Sequence, residues 1–378
     1  MQTEEIRTLF SKYKEESLSG RYITHKHIAP LIEKLKSFTI VNQVGKSVLG
    51  NPIHSIEIGS GRKKILMWSQ MHGNESTTTK AIFDLLNTLL SDNQDVVQVL
   101  DNCKLCIIPI LNPDGAMAYT RVNANSVDLN RDAQDLSQPE SLVLKEVFER
   151  FKPHFCYNLH GQRTIFSAGP VNKSATVSFL APAQDKECSV TLTRKKAMEI
   201  IDVMNKRLQE IIPDQVGVYD DSFNINCVGD TFQSKNVPTI LFEAGHYDRD
   251  YDREVTRELI YISYLTSICY ISKNNVDGSA YKEYFNIPEN EKCFLDIIIR
   301  NVKMGDDVVD VGIQYTEKLN TDSLEFVPVI VKVESLHAFY GHKEYDAKGS
   351  EVSGENGEEL KVNYENVFVI LNNEKILL

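Results

Sequence analysis

The sequence predicts an α/β fold in which a mixed, mainly parallel sheet is flanked by helices and followed by a small all-β domain. Over residues 53–271, short strand-like runs alternate with longer runs that carry apolar residues at helical spacing, which is typical of a sheet with helices on both faces. After about residue 272, a stretch rich in Asn, Asp, Gly and Ser marks a boundary. Strand-like runs separated by turns then predict the β domain.

The helices are predicted from apolar side chains that recur every three or four residues. They lie at 3–17, 27–37, 75–90, 140–151, 192–212, 254–271 and, as a short helix, 281–285. The strands of the first part lie at 53–58, 65–69, 105–110, 155–159 and 239–242. Those of the second part lie at 295–300, 308–315, 324–333, 360–364 and 367–371. Because helices separate the strands of the first part, its sheet should be mainly parallel.

Composition and charge argue against several classes of protein. The net charge of -12 repels phosphates and anionic lipids, so neither nucleic acid nor a membrane is expected as a partner. The first residues do not resemble a secretory signal, and the apolar runs fall short of the roughly 20 residues that a membrane-spanning helix needs. Seven cysteines, an odd number, fit reduced thiols better than a disulfide framework. A cytoplasmic location is therefore expected.

The first candidate site is the sequence His72-Gly73-Asn74-Glu75, which follows the apolar run 65–71. It should lie where a strand of an open α/β sheet ends, which is where ligands bind in such folds. A His and a Glu three residues apart can offer a nitrogen and an oxygen ligand to one zinc ion. Alternatively, Glu75 favours the start of a helix and His72 is an ordinary loop residue.

A catalytic zinc site needs a third protein ligand and an open position for water. His160 is the best candidate because it follows the strand-like run 155–159, and His246 is a weaker alternative. Glu243 also comes directly after a strand-like run. A carboxylate there can take a proton from activated water and pass it to a leaving amine. Its alternative role is a helix cap or an ion-pair partner.

A third cluster consists of the sequence Asn-Pro-Asp-Gly at 112–115, then Arg121, then Asn130 and Arg131. Pro and Gly in its first part fit a tight turn. A planar guanidinium can grip a carboxylate with two hydrogen bonds or steady an oxyanion, so the two arginines are candidates for substrate binding. They can equally be solvated partners of acidic side chains in this acidic protein.

Together, these motifs resemble the zinc carboxypeptidase family over about residues 45–270. The matching residues are, in order, His72, Glu75, the 112–115 motif, Arg121, Asn130, Arg131, His160 and Glu243. The resemblance implies a zinc carboxypeptidase-like fold with one zinc ion held by His72, Glu75 and His160. It also implies that Glu243 promotes the water as general base.

The resemblance implies substrate contacts as well. Asn130 and Arg131 would grip the free terminal carboxylate of a peptide or peptide-like substrate, and Arg121 would polarise the scissile carbonyl. Tyr219 is the nearest match to the tyrosine that closes over bound substrate in the family, and a packed aromatic side chain is its alternative role. Asp132 departs from the family pattern, where asparagine is common, and its charge can pair with Arg131 or discourage an anionic substrate end.

The spacing of nine residues between Arg121 and Asn130 is similar to the carboxypeptidase N/E branch, whose members carry a small β domain after the catalytic one. The expected organisation is therefore a helical lead-in over 1–37, a catalytic domain over 38–280 and a C-terminal β domain over 288–378.

The expected function is metal-assisted hydrolysis of a C-terminal peptide or related amide bond. One alternative is a zinc N-acyl amino acid deacylase of the aspartoacylase and succinylglutamate desuccinylase type, which shares the 72–75 motif and the Asp-Leu-Asn-Arg sequence at 128–131. The 112–115 motif favours the peptidase. The other alternative is a non-catalytic zinc or peptide-binding module, for which a ligand or Glu243 should be missing, yet all are present.

Overall fold

The computed structural model describes residues 1–354, 357–365, 368–371 and 374–378. The chain divides into two compact units. The first unit comprises Met1–Gln162 and Ala175–Asn290, and the second comprises Arg163–Ser174 and Glu291–Leu378. The second unit therefore takes in a short segment from the middle of the chain. The domain boundaries expected from the sequence stay predictions.

Among the described residues, the α-helices all lie in the first unit. They are α1 Thr3–Tyr13, α2 His25–Leu35, α3 Thr77–Leu89, α4 Gln94–Asn102, α5 Pro113–Ala118, α6 Pro139–Phe151, α7 Leu192–Gln209, α8 Val228–Ser234 and α9 Glu254–Lys273. Short 3-10 helices lie at Leu129–Arg131 and Lys282–Asn286. Within the described parts of the chain, none of the helices is both long enough and apolar enough to cross a bilayer.

The strands are spread over both units. They are β1 Ile40–Lys46, β2 Pro52–Ile58, β3 Lys63–Ser69, β4 Cys103–Ile108, β5 Phe155–Gly161, β6 Ser167–Ala168, β7 Val177–Leu180, β8 Val216–Val218, β9 Thr239–Ala244, β10 Asn290–Glu291, β11 Phe294–Met304, β12 Asp307–Asn320, β13 Ser323–Glu334, β14 Tyr340–Asp346, β15 Val352–Ser353, β16 Phe368–Leu371 and β17 Glu374–Leu377.

The first unit is built on an eight-stranded sheet with the order β1-β2-β4-β3-β5-β9-β7-β8. The four central strands β4, β3, β5 and β9 run parallel to one another. At one edge β2 is antiparallel to β4 and to β1, and on the other side β7 is antiparallel to β9. The predicted mixed, mainly parallel sheet is thus confirmed.

Neighbouring residues of a central strand enter different hydrophobic cores. In β3, Ile65 and Met67 belong to the same hydrophobic core as residues of α1, α2, α3, α4, α7 and α9, whereas Leu66 and Trp68 belong to the core that contains residues of α6 and α8. Because side chains along a strand alternate between the two faces of a sheet, the two cores lie on opposite faces. All four side chains are buried, as expected for parallel strands covered by helices on both sides.

The second unit is built from β structure. Its described residues form a four-stranded sheet with the order β13-β12-β11-β14 and a three-stranded sheet with the order β15-β16-β17. Ile297, Ile299 and Ile313 of the larger sheet share a hydrophobic core with Val369 of the smaller one. The predicted β-rich end of the chain is therefore confirmed.

Some details differ from the sequence prediction. The strand predicted at 360–364 is wrong, because the backbone turns there and Asn363 adopts a φ of 70°. Val367, in the strand predicted at 367–371, lies outside the described residues. Strand β1, whose residues are mostly exposed at the sheet edge, and helix α4 were not predicted. The 112–115 motif starts α5 and is not an isolated tight turn.

Candidate metal centre

The carboxyl ends of three neighbouring strands carry the predicted metal-site residues. His72 lies just beyond the end of β3, and His160 lies near the end of β5. Glu243 in β9 is the register partner of His160 across the parallel β5–β9 pair. Since parallel strands end at the same edge of a sheet, residues far apart in sequence meet at this edge.

His72, Glu75 and His160 converge on a common point. The Nδ1 atoms of the two histidines lie 3.1 Å apart. Glu75 Oε1 lies 2.9 Å from His72 Nδ1, and Glu75 Oε2 lies 2.9 Å from His160 Nδ1. One ligand atom from each residue lies within 4.8 Å of the others. Both histidines are almost fully buried.

This donor set fits a zinc ion. Zinc–nitrogen bonds of about 2.0–2.1 Å in a tetrahedral arrangement place two ligand atoms about 3.3 Å apart, close to the separations observed here. Two imidazoles and one carboxylate, with a fourth position left for water or substrate, are a donor set of catalytic zinc sites. His160 Nε2 and Glu243 Oε2 are buried atoms that lack a hydrogen-bond partner among the described residues.

Asp128 orients the first histidine. Its Oδ1 lies 3.0 Å from His72 Nε2 and also accepts a hydrogen bond from Asn130 N–H. A carboxylate at Nε2 favours the tautomer that carries its proton there, which leaves the Nδ1 lone pair for a metal. Asp128 was not among the site residues predicted from the sequence. Its position two residues before Asn130 was visible, but its contact with a histidine 56 residues away was not.

The loop that holds His72 depends on a glycine. A Cβ atom on Gly73 would lie 1.9 Å from the backbone carbonyl carbon of Gly115 in α5, so no larger residue fits without moving the backbone. Asn112 caps α5 by accepting a hydrogen bond from Gly115 N–H, and its Nδ2 donates to Met71 O. The 112–115 motif therefore packs against the loop that carries His72 and fixes its backbone through a hydrogen bond.

Electrostatics at the centre favour a cation. Burial opposes protonation of His72, but the Glu75 and Asp128 carboxylates raise its pKa. Burial disfavours the ionised form of Glu75, yet the neighbouring His72 and His160 lower its pKa. Burial lowers the pKa of His160 and so keeps its imidazole neutral. A neutral histidine and an ionised carboxylate are the protonation states that a metal requires.

Glu243 has a different environment. Its pKa lies well above the usual value, because burial and the negative charge of Glu75 outweigh the opposite effects of Arg121 and Arg253. Its Oε2 has no hydrogen-bond partner among the described residues. A divalent cation at the neighbouring ligands would favour its ionised form, since such an ion is the largest charge in its site.

Arg121 bridges the two carboxylates beside the histidines. Its Nε donates to Asp128 Oδ2 at 3.1 Å, and its Nη1 lies 3.4 Å from Glu75 Oε1. Its side chain is 48% exposed, so the guanidinium reaches both the buried ligands and the solvent side of the site.

Asn130 and Arg131 lie in the 3-10 helix that follows Asp128. Asn130 Oδ1 accepts a hydrogen bond from Val228 N–H at 3.0 Å, which identifies its Nδ2 as the donor for a ligand. Arg131 is exposed, and its Nη1 donates to Asn130 O and to Cys227 Sγ. Asp132 accepts hydrogen bonds from Ser137 and from Gln138 N–H at the start of α6, which gives its charge a structural use.

Tyr219 is half-buried close to the site. Burial and the negative charges of Glu243 and Glu75 raise the pKa of its phenol. The structure therefore places all eight predicted site residues at this edge of the sheet or in the loops beside it. Their roles stay predictions.

Arg253 was not singled out from the sequence. Its Nη1 donates to Ala244 O and Gly245 O, and its Nη2 donates to Gln162 O. These carbonyls follow Glu243 and His160 in the chain, so the buried guanidinium ties together the ends of the two strands. Arg253 adopts a φ of 61° just before α9, a conformation that does not leave a motif in the sequence.

Comparison with known proteins agrees with this picture. A family model described as zinc carboxypeptidase matches residues 24–163. Carboxypeptidase 2 of Trichophyton rubrum is 32% identical over 108 residues, which cover 28% of this chain and 20% of that protein. Carboxypeptidase E of Caenorhabditis elegans is 26% identical over 153 residues, which cover 33% of this chain and 32% of that protein. The chain thus spans a fifth to a third of the length of these curated relatives.

Solved structures show the same fold. A metallo-carboxypeptidase from Burkholderia cenocepacia superposes with a TM-score of 0.53 at 15% identity, covering 65% of this chain and 69% of that one. The resemblance drawn from the ordered motifs is confirmed, since the zinc carboxypeptidase model matches residues 24–163, a stretch that contains His72, Glu75 and His160.

Proposed function

We propose that this protein is a zinc-dependent metallocarboxypeptidase that removes the C-terminal residue of a peptide or related amide. The observation that carries the proposal is the convergence of His72 Nδ1, His160 Nδ1 and the Glu75 carboxylate beside Glu243. One zinc ion would be held by these three ligands. When bound there, zinc supplies Lewis-acid activation of a water molecule and of the scissile carbonyl.

Glu243 is the proton carrier of the proposed reaction. Its carboxylate, whose Oε2 is buried, accepts a proton from the attacking water and returns it to the leaving amine, as a positioned general base does. The unpaired Oε2 supports this role, because a catalytic oxygen must be available to a water or a substrate. Gly161 N–H donates to Glu75 Oε2 at 3.0 Å and helps to keep that ligand apart from Glu243.

Arginine and amide groups position the substrate. Asn130 Nδ2 and the exposed Arg131 guanidinium bind the terminal carboxylate through charge-assisted hydrogen bonds. Arg121 reaches the carbonyl oxygen on the solvent side of the ligands and stabilises the charge that develops there. Tyr219 covers the bound residue.

Neither alternative is favoured by the comparisons. The family model and the curated relatives are carboxypeptidases, which does not favour an N-acyl amino acid deacylase. The complete ligand set and Glu243 do not favour a binding module. The cytoplasmic location expected from the sequence remains a proposal.

The test is release of C-terminal amino acids from a mixed peptide library by the zinc-loaded protein, measured by mass spectrometry. Glu243→Gln keeps the size of the side chain and the zinc ligands but removes the proton acceptor. We expect it to bind zinc normally and to lose activity by about 10²–10⁴-fold. A parallel panel of N-acyl amino acids tests the deacylase.

Release from peptides that disappears in Glu243→Gln and after chelation supports the proposal. Hydrolysis confined to the N-acyl amino acids would replace it by the deacylase. Firm zinc binding without hydrolysis of either panel would favour a binding protein.

A further inference from the structure

A second cavity lies in the first unit, close to the candidate metal centre but separate from it. Its volume is about 240 Å³, and its walls come from the loop over residues 129–136 and from α6 and α8. His72, Glu75, His160 and Glu243 do not line it. It is therefore not the space in which the proposed hydrolysis takes place.

The cavity shares a wall with the predicted carboxylate-binding residues. Leu129, which precedes Asn130, lines it. Val228 lines it as well, and the N–H of Val228 donates to Asn130 Oδ1. Met71 forms another part of the wall, directly before His72. A molecule in the cavity would thus contact Leu129 and Val228, the residues that position Asn130.

The inner wall is apolar. Met71, Leu129, Leu144 and Phe232 are all at least nine-tenths buried. The cavity is partly open to solvent, so part of this apolar wall is in contact with water. An apolar group that fills the space would remove that surface from water, which is favourable.

The remaining lining is positively charged and polar. Lys145 and Lys235 line the cavity, and the lining residues, all in the fully described first unit, include no acidic side chain. Lys235 is exposed and lies over the Phe148 ring, while Lys145 is half-buried with Glu149 at 3.9 Å. In a protein of net charge -12, two lysines beside an apolar cavity favour an anion there.

Ser141 also lies in the lining and is 7% exposed. Its hydroxyl lies beside the Asp132 carboxyl group. Burial disfavours the ionised form of that group, but the Ser137 and Ser141 hydroxyls help to lower its pKa. Lys145 and Lys235 are therefore the side chains that offer charge to a ligand.

We propose that this cavity binds a small amphipathic anion, a carboxylate with an apolar body of about ten non-hydrogen atoms. The apolar body lies against Leu144 and Phe232, and the carboxylate accepts hydrogen bonds from Lys145 or Lys235. The proposal goes beyond the proposed hydrolysis, and it is tested by binding alone, so the failure of either one leaves the other standing.

Octanoate is the probe, and methionine is the reporter. The zinc-loaded chain is labelled with ¹³C at the methyl groups of its seven methionines, and octanoate is titrated while their NMR signals are followed. We expect a saturable shift of the Met71 signal, assigned with Met71→Leu, and unchanged signals from Met198 and Met204, which lie in the core on the other face of the sheet. No saturable shift of Met71 up to several millimolar octanoate would overturn the proposal.

Charge is tested with octanamide, which has the same length but no negative charge. Lys145→Gln with Lys235→Gln should weaken octanoate binding by about three- to tenfold, as expected for exposed ion pairs, and leave octanamide binding unchanged. The matched control is Lys26→Gln with Lys186→Gln, two exposed lysines that do not line the cavity. Equal losses with both probes would contradict the assignment of the lysines.

Location is tested by filling the cavity. Ala133 lines it, and Ala133→Leu should weaken both probes by more than about tenfold because the added carbons occupy their place. Ala280→Leu adds the same group at an exposed position and should change nothing. Unchanged octanoate affinity in folded Ala133→Leu would overturn the proposal, and if this variant does not fold, the lysine pair decides.

Discussion

Two groups of buried and half-buried ionisable side chains in the first unit differ in how their polar atoms are paired. The helix ion cluster lies between α3 and α9 and consists of Asp84, Arg257, Glu254 and Lys80. Asp84 and Arg257 are both 0% exposed, and the guanidinium donates to both carboxylate oxygens, from Nε at 2.7 Å and from Nη2 at 2.6 Å. Its other N–H groups donate to Leu18 O, to Glu15 O and to Glu254.

The metal-site cluster consists of His72, Glu75, His160 and Glu243. Here polar atoms crowd together: the Nδ1 atoms of His72 and His160 lie 3.1 Å apart, and Glu243 Oε2 has no partner among the described residues. Buried polar groups are normally satisfied, and those that are not need an explanation. The helix ion cluster, whose polar atoms are paired within the protein, therefore stabilises the fold. The metal-site cluster, which leaves a polar atom unpaired, is suited to bind a ligand.

The largest expected effect is on zinc affinity, when a ligand of the metal-site cluster is removed. His160→Ala should weaken zinc binding by about 100-fold or more, since the free energy of binding is shared among a few ligands. It should not destabilise the metal-free protein much, because it relieves the crowding of two ring nitrogens that lie 3.1 Å apart. Competition with a chromogenic chelator measures the affinity, and urea unfolding measures the stability.

His154→Ala is the control for this change. His154 is an exposed histidine just before the opposite end of the same strand, where its Nδ1 accepts a hydrogen bond from Lys64 N–H. Equal zinc affinity in His160→Ala and wild type would remove His160 from the ligand set.

The next largest effect concerns the helix ion cluster. Arg257→Met leaves Asp84 buried without its counter-charge and should lower the free energy of unfolding by about 3–5 kcal/mol. Adding Asp84→Leu should recover part of the loss, since replacing both partners removes the unpaired charge. Urea unfolding measures both, and zinc affinity should stay unchanged.

Arg7→Met is the matched control because it breaks the partly exposed pair of Arg7 and Glu258, 2.9 Å apart. It should cost less than about 1 kcal/mol. A loss as large as that of Arg257→Met would mean that burial does not distinguish the two pairs.

A smaller effect is expected at Asp128, which contacts the metal-site cluster through His72. Asp128→Asn removes the charge behind His72 but keeps the shape of the side chain. Zinc affinity should fall about 10- to 100-fold, as it does when carboxylates behind metal-bound histidines are changed. Asp132→Asn, four residues further along and bonded to Ser137 and Gln138, should leave zinc affinity unaffected, and an equal fall there would argue for a general effect of charge.

The comparison also shows what sequence can predict. His160 and Glu243 follow apolar runs, so their places at strand ends were predictable, and parallel pairing then puts them side by side. The helix ion cluster was not predicted, because Asp84 and Arg257 sit inside helices at positions that resemble ordinary surface charges. Their pairing depends on the packing of α3 against α9, across 173 residues.

The same limit applies within the site. Asp128 and Arg253 act through contacts with a distant side chain or carbonyl, and no local pattern announces such contacts. Strand β1 was missed because its residues are mostly exposed, so it lacks the apolar run by which the central strands were recognised.

The smallest expected effect concerns Asp230, a buried carboxyl group outside both clusters. Its polar atoms are better satisfied than those of the metal-site cluster and less well satisfied than those of the helix ion cluster. Burial raises its pKa to about 6, and it accepts a hydrogen bond from Asn224 N–H at 3.2 Å. Its pKa in the unfolded chain is about 3.9. Because the folded pKa is the higher one, its contribution to stability is fully present below about pH 4 and is lost as the pH rises to about 6.

Asp230→Asn keeps the hydrogen bond and cannot ionise. Above pH 6 the metal-free variant should be more stable than the metal-free wild type by about 1–2 kcal/mol, since partial access to solvent screens part of the cost of the charge. Near pH 4 the two proteins should have similar stability, and urea unfolding across this range measures the difference. A difference in the free energy of unfolding that stays constant with pH would mean that a counter-charge pairs with Asp230 in solution. Asp230 would then resemble the paired charges of the helix ion cluster.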